Sequence, residues 1–124
     1  MKISDSELEV MHLLWRESRP LSFTEIRTVL EGKNNWKKST IQTLLTRLKD
    51  KGAIMTQENY VVLYVSNVNE EDYLQAEGSN FLNKLFDGSA KKLVASLCKG
   101  GKLDAAEVNE LREFFKNLQD EEGK

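Results

Sequence analysis

The sequence predicts a mainly α-helical chain with one small β-hairpin, in which three helices lead into the hairpin and a purely helical segment follows. Three observations carry this. Ser or Asp followed three residues later by Glu stands ahead of several apolar runs of helical period. After Gly52 that period gives way to β-branched and aromatic residues. Hydrophobic residues are 40% of the 124 and charged residues 31%, too apolar for a disordered chain, and no apolar run approaches the roughly 20 residues that would span a bilayer.

The first helix, about residues 5–17, begins at a capping box of Ser4 and Glu7 and carries Leu8, Met11, Leu14 and Trp15 until Pro20 stops the run. Ser22 and Glu25 repeat the box ahead of Ile26, Val29 and Leu30, and Gly32-Lys33-Asn34-Asn35 breaks this short second helix. From Lys37 to Lys51, Ile41, Leu44, Leu45 and Leu48 form one buried stripe, with Gly52 placed as the C-terminal cap. Ala53 to Gln57 and Tyr60 to Val65 read as paired strands joined at Glu58-Asn59. Three helices and a hairpin make the element order of a winged helix-turn-helix. Beyond a junction at Asn67 to Glu71, Asn69 caps a longer helix holding Tyr73, Leu74, Phe81, Leu82, Leu85 and Phe86. Asp87-Gly88-Ser89 separates it from a shorter helix with Leu93, Val94 and Leu97, ended by Gly100-Gly101. Asp104 and Glu107 open the last helix, which carries Val108, Leu111, Phe115 and Leu118 and frays at Asp120-Glu121-Glu122.

The domain boundary is expected near residue 70, dividing the chain into residues 1–69 and 70–124. A helical unit of about 55 residues buries too small a fraction of its surface to stand alone. Its apolar residues Phe81, Leu85, Leu93, Leu97, Leu111 and Phe115 are therefore expected to dimerise with a second copy.

One cysteine, Cys98, and one histidine, His12, leave no internal disulfide, no Cys-rich metal site and little imidazole chemistry. With no recognisable nucleophile or phosphate loop, neither an enzyme nor a cofactor or metal is expected. Cys98 reads as a small buried hydrophobe, Trp15 and Trp36 as core residues, and His12 as a helix residue on the side away from Leu8 and Trp15. Met1-Lys2-Ile3-Ser4 runs into charged residues without an apolar segment, so a cytoplasmic location is expected.

The net charge of -2 is unevenly distributed. Residues 33–51 hold Lys33, Lys37, Lys38, Arg47, Lys49 and Lys51 against Asp50 alone, whereas residues 70–124 are net acidic. A basic segment on an acidic chain is an electrostatic footprint for phosphate, although a solvated helix face can look the same. The third helix, which follows a helix-turn-helix arrangement and precedes the wing, favours the first reading. On or beside the face opposite its apolar stripe, at 100° per residue, lie Ser39, Gln42, Thr43, Thr46 and Arg47. Solvated faces favour Glu and Lys, and Thr is a poor helix former, so Thr40, Thr43 and Thr46 call for another reason. Contact with base edges supplies one: hydroxyls reach bases and phosphates, the Thr methyl meets the thymine methyl, Gln pairs with adenine and Arg with guanine.

Ser6-Glu7-Leu8-Glu9-Val10-Met11 through Leu14-Trp15, and Trp36-Lys37-Lys38-Ser39-Thr40-Ile41-Gln42-Thr43-Leu44-Leu45-Thr46-Arg47-Leu48 with Lys51-Gly52, resemble the opening and recognition helices of the penicillinase and methicillin-resistance repressors, grouped with copper-responsive repressors (BlaI/MecI/CopY). Tyr64 with Ser66 resembles the end of that family's wing, and Ser79-Asn80-Phe81-Leu82-Asn83-Lys84 with Leu111-Arg112 its C-terminal helices. The resemblance implies a cytoplasmic homodimer that represses transcription by covering a palindromic operator of double-stranded DNA. The winged helix would read DNA through Lys38, Ser39, Thr40, Gln42, Thr43, Thr46 and Arg47, and the C-terminal helices would join subunits. It further implies a regulatory protease, since antibiotic-responsive members are cleaved at an Asn-Phe bond, but Ser96-Leu97 stands at what looks like that position here. Copper-responsive members carry clustered cysteines, which Cys98 alone does not match. Glu58-Asn59-Tyr60-Val61 replaces the basic, glycine-containing wing tip typical of relatives. The rival reading, a winged helix used only as a protein-interaction module, would need an apolar or acidic face on the third helix.

Overall fold

A computed structural model describes residues 1–122; Gly123 and Lys124, the last positions of the expected second domain, lie outside the described residues. The element order is α1 (Asp5–Glu17), β1 (Leu21–Ser22), α2 (Phe23–Asn34), α3 (Lys38–Asp50), β2 (Ile54–Glu58), β3 (Val62–Ser66), α4 (Glu70–Phe86), α5 (Ala90–Lys99) and α6 (Ala105–Glu122). The chain divides into two compact units, Met1–Leu74 and Gln75 onward.

The first unit is a winged helix. Both expected capping boxes form: Ser4 Oγ accepts from the Glu7 N–H while Glu7 accepts from the Ser4 N–H, and Ser22 and Glu25 do the same. Val10, Met11, Leu13 and Leu14 of α1 meet Ile26 and Leu30 of α2 and Ile41, Leu44, Leu45 and Leu48 of α3 in one core, closed below by Leu21, Ala53 and Ile54. At the end of α3, Gly52 takes φ +80°, the Ala53 N–H reaches back to the Leu48 carbonyl at 2.9 Å, and the chain turns directly into the hairpin. A side chain at residue 52 would strain that turn. The sheet is antiparallel in the order β1-β3-β2, with Glu58 opposite Val62 and Leu21 opposite Tyr64.

Several expectations need correction. α2 continues through Gly32, Lys33 and Asn34, and only Asn35, in the left-handed region, ends it, because its N–H still reaches the Glu31 carbonyl. Glu58 is a strand residue, so the turn comprises Asn59, Tyr60 and Val61, the Asn59 N–H bonding the Val61 carbonyl at 3.1 Å. His12 does not point away from Trp15: its ring meets the indole edge-on, centroids 5.7 Å apart. α6 extends through the acidic end to Glu122 rather than fraying at Asp120. Trp15 is half-buried, and its indole N–H donates to Ser66 Oγ at 3.1 Å and the Val68 carbonyl at 2.9 Å while its ring lies against Tyr73.

Asn69 caps α4 by accepting from the Asp72 N–H, and in the second unit Ser89 and Asp104 cap α5 and α6 by accepting from the Lys92 and Glu107 N–H groups. Among the described residues, none from Gln75 to Glu121 is buried, and no two of α4, α5 and α6 pack closely on each other. Cys98, expected to be buried, is exposed for that reason.

The least expected core feature is Glu7, 1% exposed. Lys51 Nζ donates to its carboxylate and also to the Lys2 carbonyl at 2.9 Å, joining the start of α1 to the end of α3. Burial pushes the Glu7 carboxyl up, but the hydrogen bonds from Lys51 and Ser4 outweigh it and hold the group below its usual 4.5. A carboxylate depressed in the folded state contributes stability above its unfolded pKa and loses it as pH falls through the folded value. Lys51→Met should therefore cost roughly 2 kcal/mol near neutrality in urea unfolding, because the buried charge is left uncompensated. The difference from the parent chain should narrow as the pH falls below the ordinary carboxylate value of 4.5 and Glu7 protonates. A loss independent of pH would contradict this.

Candidate nucleic-acid interface

α3 presents two unlike faces. Ile41, Leu44, Leu45 and Leu48 are at most 5% exposed, while Lys38, Ser39, Thr40, Gln42, Thr43, Thr46, Arg47 and Lys49 are all exposed. The first turn contains no acid, and the residue ahead of it, Lys37, makes no side-chain cap. α1 and α2 satisfy their first N–H groups with capping boxes, so α3 differs in leaving its positive end to whatever meets it.

Two of the hydroxyls on this face are already engaged. Thr43 Oγ1 donates to the Ser39 carbonyl and Thr46 Oγ1 to the Gln42 carbonyl, both at 2.9 Å. With the proton used inside the helix, each threonine presents a methyl group and oxygen lone pairs outward, suited to a thymine methyl or an amino donor rather than to a phosphate oxygen. Among the described residues, Gln42 and Arg47 keep their donors free for a ligand, as do Ser39, Thr40, Lys38 and Lys49.

Two depressions flank α3. A groove of about 660 Å³ separates it from the hairpin, with Lys38, Gln42, Thr46 and Lys49 on one wall and Thr56, Glu58, Val62 and Tyr64 on the other. A cleft of about 370 Å³ on the opposite flank joins Ser39, Thr40, Thr43 and Arg47 to Ser4 and Ser6 at the start of α1. Neither Ser4 and Ser6 nor the wall of the hairpin carries a sequence signal that places it beside α3. Ser4 was visible only as a cap, and no pattern in the chain says which loop will stand beside α3.

The basic segment is smaller in space than in sequence. Lys51 is held by Glu7, and Lys33 pairs with Glu9 across α1 and α2 at 3.0 Å. Lys37, Lys38, Arg47 and Lys49 form no ion pair among the described residues and are exposed, so positive charge is concentrated along the open face of α3. Elsewhere charges are spent locally: Arg19 bonds Glu25 at 2.6 Å and lowers that carboxyl to about 2.

In the second unit, Phe81 and Leu85 of α4 and Phe115 of α6 are about half exposed, whereas Leu93 and Leu97 of α5 and Leu111 of α6 are half-buried. Ser96 is exposed beside Leu97, on α5.

Residues 3–117 match the sequence profile of the penicillinase repressor family. The chain is 35% identical to a penicillinase repressor of Bacillus licheniformis over 92% of its own length and 89% of that protein. It is 34% identical to the methicillin resistance regulatory protein MecI of Staphylococcus aureus, over 92% of this chain and 93% of that one. Among solved structures it is similar to the monomeric form of Bacillus licheniformis BlaI in complex with the blaP half-operator. That likeness has a TM-score of 0.53 and 40% identity, and it covers 59% of this chain and 89% of the other.

The division of α3 into a structural and an open face can be measured without any ligand. Leu48→Ala should lower stability by roughly 2–4 kcal/mol. Thr43→Ala and Thr46→Ala should leave it unchanged or raise it by up to about 0.5 kcal/mol each, since alanine is the better helix former. Thermal or urea unfolding of the three variants checks this, and a destabilising threonine substitution would mean that these side chains serve the fold.

Proposed function

Because this chain belongs to the penicillinase repressor family, we propose that two copies of it cover a palindromic operator, each laying α3 in the major groove of one half-site. The protein is a DNA-binding transcriptional repressor with a winged-helix reading unit. The observation that carries the reading is the exposed face of α3, polar, free of acid in its first turn and flanked by Lys37, Lys38 and Lys49. A protein-interaction module would present an apolar or acidic face there.

In this reading Gln42, Thr43, Thr46 and Arg47 meet base edges, Ser39 and Thr40 meet bases or the adjoining backbone, and Lys38 meets phosphate. The two copies join through Phe81, Leu85, Leu93, Leu97, Leu111 and Phe115. What supports the pairing is a second unit without a single buried residue among those described, whose apolar side chains stay uncovered in one copy. No helix of the described residues is long and apolar enough to cross a membrane, and the repressor acts where the chromosome lies, in the cytoplasm. A regulatory protease that reads Asn-Phe finds neither the amide nor the ring at Ser96-Leu97, so relief of repression follows a route that does not depend on that bond.

Duplexes selected from a randomised pool by the full chain provide the operator for a test. Arg47→Ala and Thr43→Ala should each weaken binding by roughly 1–3 kcal/mol in a titration, as loss of a base contact does. Lys38→Ala should weaken all duplexes alike and reduce the slope of log affinity on log salt by about one. Leu111→Asp should sediment as a monomer and lose the advantage of a two-half-site duplex over one half-site. If Arg47→Ala and Thr43→Ala left affinity untouched, α3 would not be the reading element.

A further inference from the structure

Resting on the reading of two copies on one operator, we propose that Trp15, with Asn67 and Tyr73, fixes the base of α4 to the first unit and so determines which spacing of half-sites the protein accepts. All three are positioning residues, acting through the helix they hold.

Asn67, Val68 and Asn69 alone separate β3 from α4. So short a connection could serve as a free pivot, yet each of its residues is tied. The Asn67 N–H donates to the Ala53 carbonyl at 2.8 Å and its side-chain amide to the Gly52 carbonyl at 3.1 Å, which binds the connection to the end of α3. The Val68 carbonyl accepts from the Trp15 indole N–H at 2.9 Å and from Ser66 Oγ at 2.7 Å. Asn69 caps α4, and in the first turn of that helix the Tyr73 ring lies 5.7 Å from the Trp15 ring, tilted by 42°. The Trp15 ring packs against the rim of the core, but its N–H is directed at the connection. α1, the end of α3 and the base of α4 are thereby joined at one place.

The consequence is one of leverage. α4 is a single helix of 17 residues, of which Glu70–Leu74 belong to the first unit and the remainder to the second. At 1.5 Å per residue it is roughly 25 Å long, so a tilt of about 10° at its base moves its far end by roughly 4 Å, more than the rise of about 3.4 Å per base pair. In a dimer joined through the second unit, the angle at that base sets the distance between the two copies of α3. A fixed base favours one separation of half-sites, whereas a free one spreads the same binding over several.

The test titrates the full chain against duplexes carrying two selected half-sites at the selected separation, against the same duplexes with one or two base pairs added or removed, and against a single half-site. The parent chain should bind the selected separation roughly tenfold more tightly than the altered ones. Trp15→Phe keeps a ring beside Tyr73 and loses the N–H, Asn67→Ala loses the bond to Gly52, and Tyr73→Ala loses the ring on α4. Each should reduce the preference to about threefold or less and leave affinity for a single half-site unchanged. Asn67 is exposed, so its variant carries the test even if Trp15→Phe does not fold. Loss of stability with the spacing preference intact would make these residues structural and overturn the proposal, as would an equal loss of affinity on every duplex. A parent chain that gained nothing from a second half-site at any separation would instead remove the reading of two copies on one operator.

Discussion

The rotation of α3 about its own axis is the constraint on which the rest of the molecule depends. Four side chains one and two turns apart, Ile41, Leu44, Leu45 and Leu48, are buried almost completely, and a rotation by a single residue would drive Gln42 or Lys49 into the core with nothing there to bond them. The C-terminal end is fixed independently. Lys51 is held by the buried Glu7, Gly52 adopts a conformation that a side chain would strain, and Asn67 donates to the Gly52 carbonyl at 3.1 Å. α3 is thus clamped along one side and at its last turn, and its N-terminal half is left open.

The charge pattern acquires its meaning from that clamp. Two of the six bases in the sequence cluster are consumed by carboxylates of α1, Glu9 and Glu7, and serve the fold. Those left over are the ones beside the threonine and glutamine face. A chain with net charge -2 can still meet DNA, because a few positive side chains placed along one groove decide the local potential while the acids of the second unit lie elsewhere in the sequence.

Much of the fold was legible because capping and periodicity are local. Ser4 with Glu7, Ser22 with Glu25, the stripe of α3 and the cap at Gly52 depend on residues within one or two turns of each other, and each element appears where those residues place it. What escaped depends on distant partners. β1 is two residues long and exists only because β3 pairs with it. Glu7 announced itself as a cap, and nothing local reveals that Lys51, 44 residues on, meets the same carboxylate. His12 was placed by helical angle alone, yet a side chain can swing toward a neighbouring ring such as Trp15. Cys98 was judged by its residue type, which presumes a core that the helices after Gln75 do not form within one chain. The face of α3 was readable for the same reason as its stripe, whereas the wall opposite it, from Thr56 to Tyr64, emerged only from the folded hairpin.

The central claim is that the open face of α3 enters the major groove. Methylation interference tests it most directly, because dimethyl sulfate marks guanine N7 in the major groove. The account predicts that N7 methylation at guanines within each half-site blocks binding of the full chain. Binding that tolerates N7 methylation at every guanine of the site would place α3 outside the major groove and contradict the account.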